Sequence, residues 1–411
     1  MIASIAWRNL WRNKLRSLII IAAVVVGILG GVGSDGFMEG MVDQRVNTAI
    51  ANELSNIQLH QPDFLLNNEI NYTIPNPDQY IEVANQMPEV KGASKRIICG
   101  AMASTATAAT SVLICGVIPE QEKKVTGIYK KVISGNYLND EQRIPVVVGK
   151  KLADKLELNL NSKLIVTLAD SSGTITYGAF IVVGMYQTSN NLYDESHIFV
   201  RINDLGKLAG ITGQVHEIAI SLFDNKQTSL VFNKLSSSFK QQIDNKSIDM
   251  RTWEQLEPLL KSMIEMTAFF SYLFLIIILI ALAFAIINTM TMAILERKRE
   301  IGMLMAIGMT RGKIFTMIML ETLFLAIVGG LVGLLMSYGL VEYYAHYGLD
   351  FGSMGSGMSY IGYDSIVYFK VTDGFYLASF ILVAITAVLS SISPSIKALK
   401  LNPVDAIREL N

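Results

Sequence analysis

Residues Ile294–Glu321 read ILERKREIGMLMAIGMTRGKIFTMIMLE and lie between two long apolar runs. Up to Lys313 the stretch carries Arg297, Lys298, Arg299, Arg311 and Lys313 against only two acids, Glu296 and Glu300. Such a segment is too charged for lipid, and a short basic loop between two spans belongs on the cytoplasmic side. Ile301, Leu304, Met305 and Gly308 recur at helical spacing, which predicts a short amphipathic helix with one apolar stripe. That stripe needs cover. Lipid headgroups and a cytoplasmic partner protein both supply it, and the loop alone leaves the two readings open.

Upstream, Thr267–Leu295 is a span in which Asn288 is the one strongly polar side chain, expected to hydrogen-bond a neighbouring helix or, as a second reading, to touch a substrate. Downstream, Ile314–Tyr338 is a span with Glu321 two turns inside it, a costly place for a carboxylate unless it faces protein or water. Gly329 and Gly333 make a small-xxx-small face for close helix approach. Leu18–Val32 and Phe375–Ile392 complete four spans, the first preceded by an amphipathic Met1–Arg16 in which Trp7, Leu10 and Trp11 share one side and Arg8, Arg12 and Arg16 another. A cleavable signal peptide competes for this start, but the helical pattern from Phe37 to Ile57 favours one long retained helix.

No segment of residues 42–262 is long enough to span a bilayer, so this stretch reads as one large mixed α/β domain inserted between the first and second spans. The resulting order is residues 1–41, amphipathic helix and first span; 42–262, inserted domain; 263–294, second span; 295–313, basic loop; 314–341, third span; 342–373, an acidic, glycine-rich outer loop; 374–394, fourth span; and 395–411, a tail with a helix start at Asn402-Pro403 and a basic Arg408. The basic segments place both termini and the 295–313 loop inside and the large domain outside.

The composition, 51% hydrophobic and 17% charged over 411 residues, fits a few membrane helices plus one water-exposed domain. A net charge of −1 gives no electrostatic case for nucleic acid. Cys99 and Cys115 lie symmetrically about a turn near Thr107, so a disulfide between facing strands and a pair of small buried hydrophobes are both open. The four histidines have no metal-ligand spacing, and there is no phosphate-binding G-x-x-x-x-G-K-[ST], no H-E-x-x-H and no G-x-S-x-G.

One span, a large outer domain and three further spans resemble the permeases of the macrolide-exporter, lipoprotein-releasing and cell-division type of ABC system. Glu296-Arg297-Lys298-Arg299-Glu300-Ile301-Gly302, Ala306-Ile307-Gly308 and Glu321 are similar to the family's signature, as are Arg8-Asn9-Leu10 and Pro403-Val404-Asp405-Ala406-Ile407-Arg408. The resemblance implies that Glu300, Ile301, Gly302, Leu304, Met305, Ala306 and Gly308 form a coupling helix docking on a separate ABC ATPase subunit. It also implies no enzyme activity or cofactor on this chain, with ATP and Mg²⁺ held by that partner. A second permease copy or homologue, membrane lipid, and a lipoprotein substrate or periplasmic carrier complete the implied partners, in a bacterial inner membrane.

Val147-Val148-Gly149-Lys150-Lys151-Leu152-Ala153, Phe180–Tyr186, Tyr193-Asp194 and His197-Ile198-Phe199-Val200 look most like the lipoprotein-releasing branch. Ala169–Gly178, however, is short and lacks the proline-containing hook that captures a carrier in one such permease. The mechanism implied is mechanotransmission, with lipoprotein extraction as the expected task. Export of a peptide, toxin or drug through a tunnel partner, and signalling to a cell-wall hydrolase, are its rivals.

Overall fold

The computed structural model describes residues 2–12, 14–139, 143–352 and 355–400; the expected helix start at Asn402-Pro403 and the rest of the tail pattern lie outside them. The chain divides into two compact units, Met1–Asp43, Met263–Leu349 and Val367–Asn411 in one, Gln44–Ser262 and Asp350–Ile366 in the other.

Helices dominate the first unit: α1 (Ile2–Arg12), α2 (Lys14–Ala49), α3 (Pro258–Glu296), α4 (Lys298–Ala306), α5 (Arg311–Tyr347) and α6 (Asp373–Leu399). Among the described residues, α2 with its continuation to Leu54, α3, α5 and α6 are long and apolar enough to cross a membrane. Val24, Ile28 and Val32 of α2 pack with Leu275, Leu279 and Leu282 of α3, Leu325 of α5 and Val383 and Ala387 of α6. Glycine sets how closely these helices approach. A Cβ on Gly329 would lie 3.0 Å from the Val24 side chain, and one on Gly333 3.2 Å from the Ile28 Cβ, so the small-residue face of α5 receives α2. α2 does not stop at the end of its apolar run. It continues to Ala49, adds a wider π-helical turn at Ile50–Leu54, and is ended by Ser55 in a strained positive-φ conformation, φ 82° and ψ 172°.

In the second unit ten strands, β1 (Ile57–His60), β2 (Val90–Ser104), β3 (Ala109–Val117), β4 (Val132–Gly135), β5 (Pro145–Gly149), β6 (Lys163–Ala169), β7 (Ile175–Tyr186), β8 (His197–Arg201), β9 (Glu217–Leu222) and β10 (Asp249–Thr252), form one continuous sheet. Part of it closes on itself: β2 pairs with β3, β3 with β8, β8 with β5, β5 with β7, β7 with β6, and β6 again with β2. Closure removes the edges of that ring, whose interior holds Ile97, Ala101, Ile114, Val146, Leu164, Val166, Phe180, Val182 and Ile198. The other part, β10-β1-β9-β2, has its own core of Ile57, Leu59, Ile218, Ile220 and Met250, covered by Tyr80, Ala84, Val231 and Leu235 from the helices Pro77–Asn85 and Thr228–Ser238.

β2 belongs to both parts, and Arg96 marks the change: it is the last partner of β9, opposite Glu217, and the first partner of β3, opposite Val117. Its guanidinium is buried, and each of its three nitrogens donates to a carboxylate. Nη1 donates to Glu217 at 2.6 Å, while Nη2 and Nε donate to the two oxygens of Glu122 at 2.7 and 3.2 Å. Burial alone would raise both carboxyls. The two-pronged contact with Arg96 holds Glu122 below the usual range, whereas burial prevails at Glu217 and leaves it raised. A buried pair broken by loss of one partner costs about 3–5 kcal/mol, so this triad strongly specifies where the two parts of the sheet meet.

The hairpin β2–β3 corrects the disulfide expectation. Cys99 is opposite Ile114 and Cys115 opposite Ile98, so the turn is centred half a residue before Thr107. One residue of offset sends the two side chains to opposite faces, Cys99 into the ring and Cys115 against Val117, Tyr186 and Phe199. Both are free, buried thiols, pushed by that burial up to about 12.

Burial also fixes the acid response of this unit. It lowers His60 to about 3 and His197 to about 4, so the unfolded chain takes up protons that the fold refuses as pH falls below about 6.5. Asp194, raised by burial to about 6, works the opposite way between its ordinary value of 3.8 and that point. His216, also lowered by burial, adds to the two histidines, and Glu217, raised by burial, adds to Asp194; with three imidazoles against two carboxyls, stability is predicted to fall as pH drops from roughly 6 to 4. Thermal unfolding across that range checks the direction, and His197→Gln is expected to make the fall shallower.

Candidate functional site

The basic stretch folds as α4, joined to α3 through Arg297 and closed by Gly308 at φ 98°. Its expected apolar stripe is not free. Ile301 is 3% exposed and sits in the core with Leu10, Ile294, Ile314 and Ile318, Gly302 is buried beside it, and Met305 packs on the same cluster. Assigning Ile301, Gly302 and Met305 to a partner is therefore corrected: the chain's own bundle uses that face. A nine-residue helix has two sides, and the more continuous apolar one folds inward. The opposite side carries Arg299, Met303 and Ala306, and Ile307 follows at the C-cap, all exposed, with Met303 at 44% and Ile307 at 84%. Leu304 is half-buried between the two sides, and Gly308 is exposed at the end.

Charges lock α4 in place. Arg297 Nη1 donates to both carboxylate oxygens of Glu321, at 3.1 and 3.2 Å, and its Nε donates to Glu300 at 3.0 Å. Arg12, at the end of α1, also reaches Glu300, and Arg16, at the start of α2, reaches Glu296. Burial would raise the Glu300 carboxyl, but the two guanidiniums hold it below the usual range. The intramembrane carboxylate Glu321 is thus explained by its partner one helix away. Arg297 and Glu321 face one small cavity with Met290, Ile294, Ile301, Met317 and Ile318. α1 is held from its other side too: Leu10 is buried, its carbonyl accepts the Ser17 hydroxyl at 2.5 Å, and the Trp7 ring meets Phe324 of α5 edge-on at 5.6 Å.

Asn288 is exposed, which corrects its expected bond to a neighbouring helix of this chain. The buried face of α3 runs through Leu279, Leu282, Ile286 and Met290, and Asn288, two residues from the last pair, points the other way. The sequence reading passed over Asp35, buried in α2. An acid at the end of an apolar run was the available signal for it. Arg96 and Glu122 carried none, because residues 26 apart meet only through the fold.

Glu321→Gln is expected to lower stability by about 2–4 kcal/mol, because it leaves Arg297 short of its partner at the edge of an apolar bundle. Arg297→Leu combined with Glu321→Leu should recover most of that loss. Thermal unfolding in detergent measures both, and a fully additive double variant would contradict the pairing.

Comparison with known proteins places these features in a family. A model described as MacB-like periplasmic core domain matches residues 17–237, and one described as FtsX-like permease C-terminal matches residues 272–403. An uncharacterized ABC transporter permease of Methanocaldococcus jannaschii is 24% identical over 290 residues, 69% of this chain and 68% of that protein. The macrolide export ATP-binding/permease protein MacB of Neisseria meningitidis is 24% identical over 231 residues, 56% of this chain but 33% of that longer protein. The solved periplasmic region of MacB from Actinobacillus actinomycetemcomitans is covered to 98% by 53% of this chain, at 11% identity and a TM-score of 0.38. With the MacB-like model spanning more than half of its length and the FtsX-like model most of the remainder, the chain belongs to the ABC transporter permeases of the MacB/FtsX type, with four apolar helices and a periplasmic domain between the first and second.

Proposed function

We propose that Met303, Ala306 and Ile307, with Arg299 beside them, form the surface on which the ABC ATPase docks, and that ATP and Mg²⁺ are bound by that partner. The observation carrying this is an isoleucine 84% exposed at the C-cap of a helix whose inward face is buried. An exposed apolar side chain on a rigid element is what a partner's hydrophobic pocket fits. The loop's positive charge supports a cytoplasmic location for it and for both termini. Two permease copies, identical or homologous, then work with two ATPase subunits, and ATP-driven movement at α4 passes by mechanotransmission along α2 and α3 to the periplasmic domain.

For the cargo, an open groove of about 520 Å³ between α2 and α3 supports an apolar chain taken sideways from the membrane. It is lined by Ala22, Val26, Gly27 and Gly30 on one side and Ile278 and Ala281 on the other, and Val26 is 69% exposed. The size is that of an ordinary ligand site, and the lining is aliphatic. Lipoprotein extraction by its acyl chains is the reading this favours. Export is the second reading, favoured by the MacB relatives, which are named for macrolide export.

Met303→Asp and Ile307→Asp are each expected to cut co-purification of the ATPase by about tenfold or more while leaving the chain folded. Ile301→Asp should instead lower the yield of folded protein. Undiminished ATPase binding by both exposed-face variants would remove the docking assignment. A photoreactive residue at Val26 in the whole complex separates the cargo readings: cross-links to lipoprotein acyl chains support extraction, and cross-links to bulk phospholipid alone count against it.

A further inference from the structure

The connection from α5 to α6 is more than a loop. Residues after Val367 belong to the membrane unit and Asp350–Ile366 to the periplasmic one, so the chain enters and leaves the periplasmic unit here as well as through α2 and α3. In each unit this connection lies on α2, and the contacts run in opposite order along the two segments. Lys370 N–H donates to the Gly36 carbonyl at 2.9 Å. Phe369 meets the Phe37 ring at 5.9 Å and stacks on Tyr344 of α5 at 4.9 Å. The Tyr368 carbonyl presses on Gly40, where an added Cβ would lie 2.0 Å away. Lys370 Nζ pairs with Asp43 at 2.5 Å, and Gln44 Nε2 donates to the Ile366 carbonyl at 3.2 Å.

The last contact joins this strap to the domain. The backbone of Gly362, at φ 82°, packs against the Arg45 guanidinium, where an added Cβ would come within 2.5 Å of Nε. Arg45 in turn grips Glu53 with two bonds, at 3.0 and 3.3 Å, across the π-helical turn that ends α2. Glu53 also accepts from Asn190 Nδ2 at 3.1 Å, and Asn190 caps the helix Asn191–Ser196. Arg45 and Glu53 are almost entirely covered, so this bidentate pair is far better placed to hold its geometry than a surface ion pair. One side chain thus ties the strap, the end of α2 and a capped helix of the domain together.

We infer that the strap of residues 362–371 is a second transmission line: it fastens α5 and α6 to α2 through Gly36, Gly40 and the Asp43–Lys370 pair and delivers their movement to the periplasmic domain at Arg45–Glu53–Asn190. Gly40, Lys370 and Arg45 are positioning residues in this scheme. Gly40 is required because the Tyr368 carbonyl occupies the space of any side chain, and Arg45 because its fork pairs both oxygens of Glu53 while Gly362 packs against it. The inference rests on the mechanotransmission reading.

The test uses the complete chain with its ATPase in lipid nanodiscs and follows three readouts: ATP hydrolysis, the ATP-dependent change in hydrogen exchange over the periplasmic domain, and exchange at the Lys370 amide. Gly40→Ala is expected to speed Lys370 exchange and to weaken the ATP-dependent domain signal roughly tenfold, with ATP hydrolysis retained. Asp43→Lys and Lys370→Asp should each act in the same direction, and the two together should restore the domain signal, a rescue that a merely local role would not give. Arg45→Lys should lose the domain signal while leaving the Lys370 amide protected. If Gly40→Ala fails to fold, the charge exchange decides alone: a double variant no better than the singles overturns the inference. A loosened strap with an undiminished domain signal also overturns it. Absence of any ATP-dependent signal in the unaltered protein would instead overturn mechanotransmission itself, and the inference with it.

Discussion

A guanidinium at the edge of an apolar bundle must find carboxylates, and Arg297 finds two. Glu321, inside α5, and Glu300, at the start of α4, approach it from different elements, and Arg12 meets Glu300 from a third. The consequence is geometric. Rolling α4 about its axis would pull Ile301 out of the core and part Glu300 from Arg297 and Arg12. Its inward face is therefore assigned, and its outward face, with Met303 and Ile307, is presented in one orientation.

The periplasmic domain solves a different problem by the same means. A strand shared by a closed ring and an open sheet has no hydrophobic reason to change partners at one residue rather than the next. Arg96 supplies one, because only at that position can a single guanidinium reach Glu217 on β9 and Glu122 on the helix Pro119–Val125. The cost of burying the three charged groups is offset only when the register is right, which converts an energetic liability into specificity. At the end of α2, Arg45 and Glu53 repeat the device on the periplasmic side.

Much of this architecture was legible in the sequence. Four apolar runs of spanning length, their basic and acidic connections, and a long intervening stretch without such a run were enough for the layout, because hydrophobic length is a one-dimensional property. The intramembrane Glu321 announced that a partner must exist, and the Gly329–Gly333 pair announced a close neighbour, since both are expensive or empty unless something answers them. Periodicity also found the short helix of the basic loop. It could not say which neighbour would claim the stripe, and Ile301 went to the chain's own core.

By itself, then, the sequence determined the number and order of spans, the inserted mixed domain and the place of the short basic helix, all of which follow from local composition and period. Only the tertiary structure decided facing and partnership. It showed Ile307 and not Ile301 outward, Cys99 and Cys115 on opposite faces of one hairpin, Arg96 at the change of strand partners, and the strap on Gly40. The reason is common to all four. A half-residue shift of a turn or a half-turn of a helix reverses which side is buried, and that last increment is set by what packs against it from far along the chain.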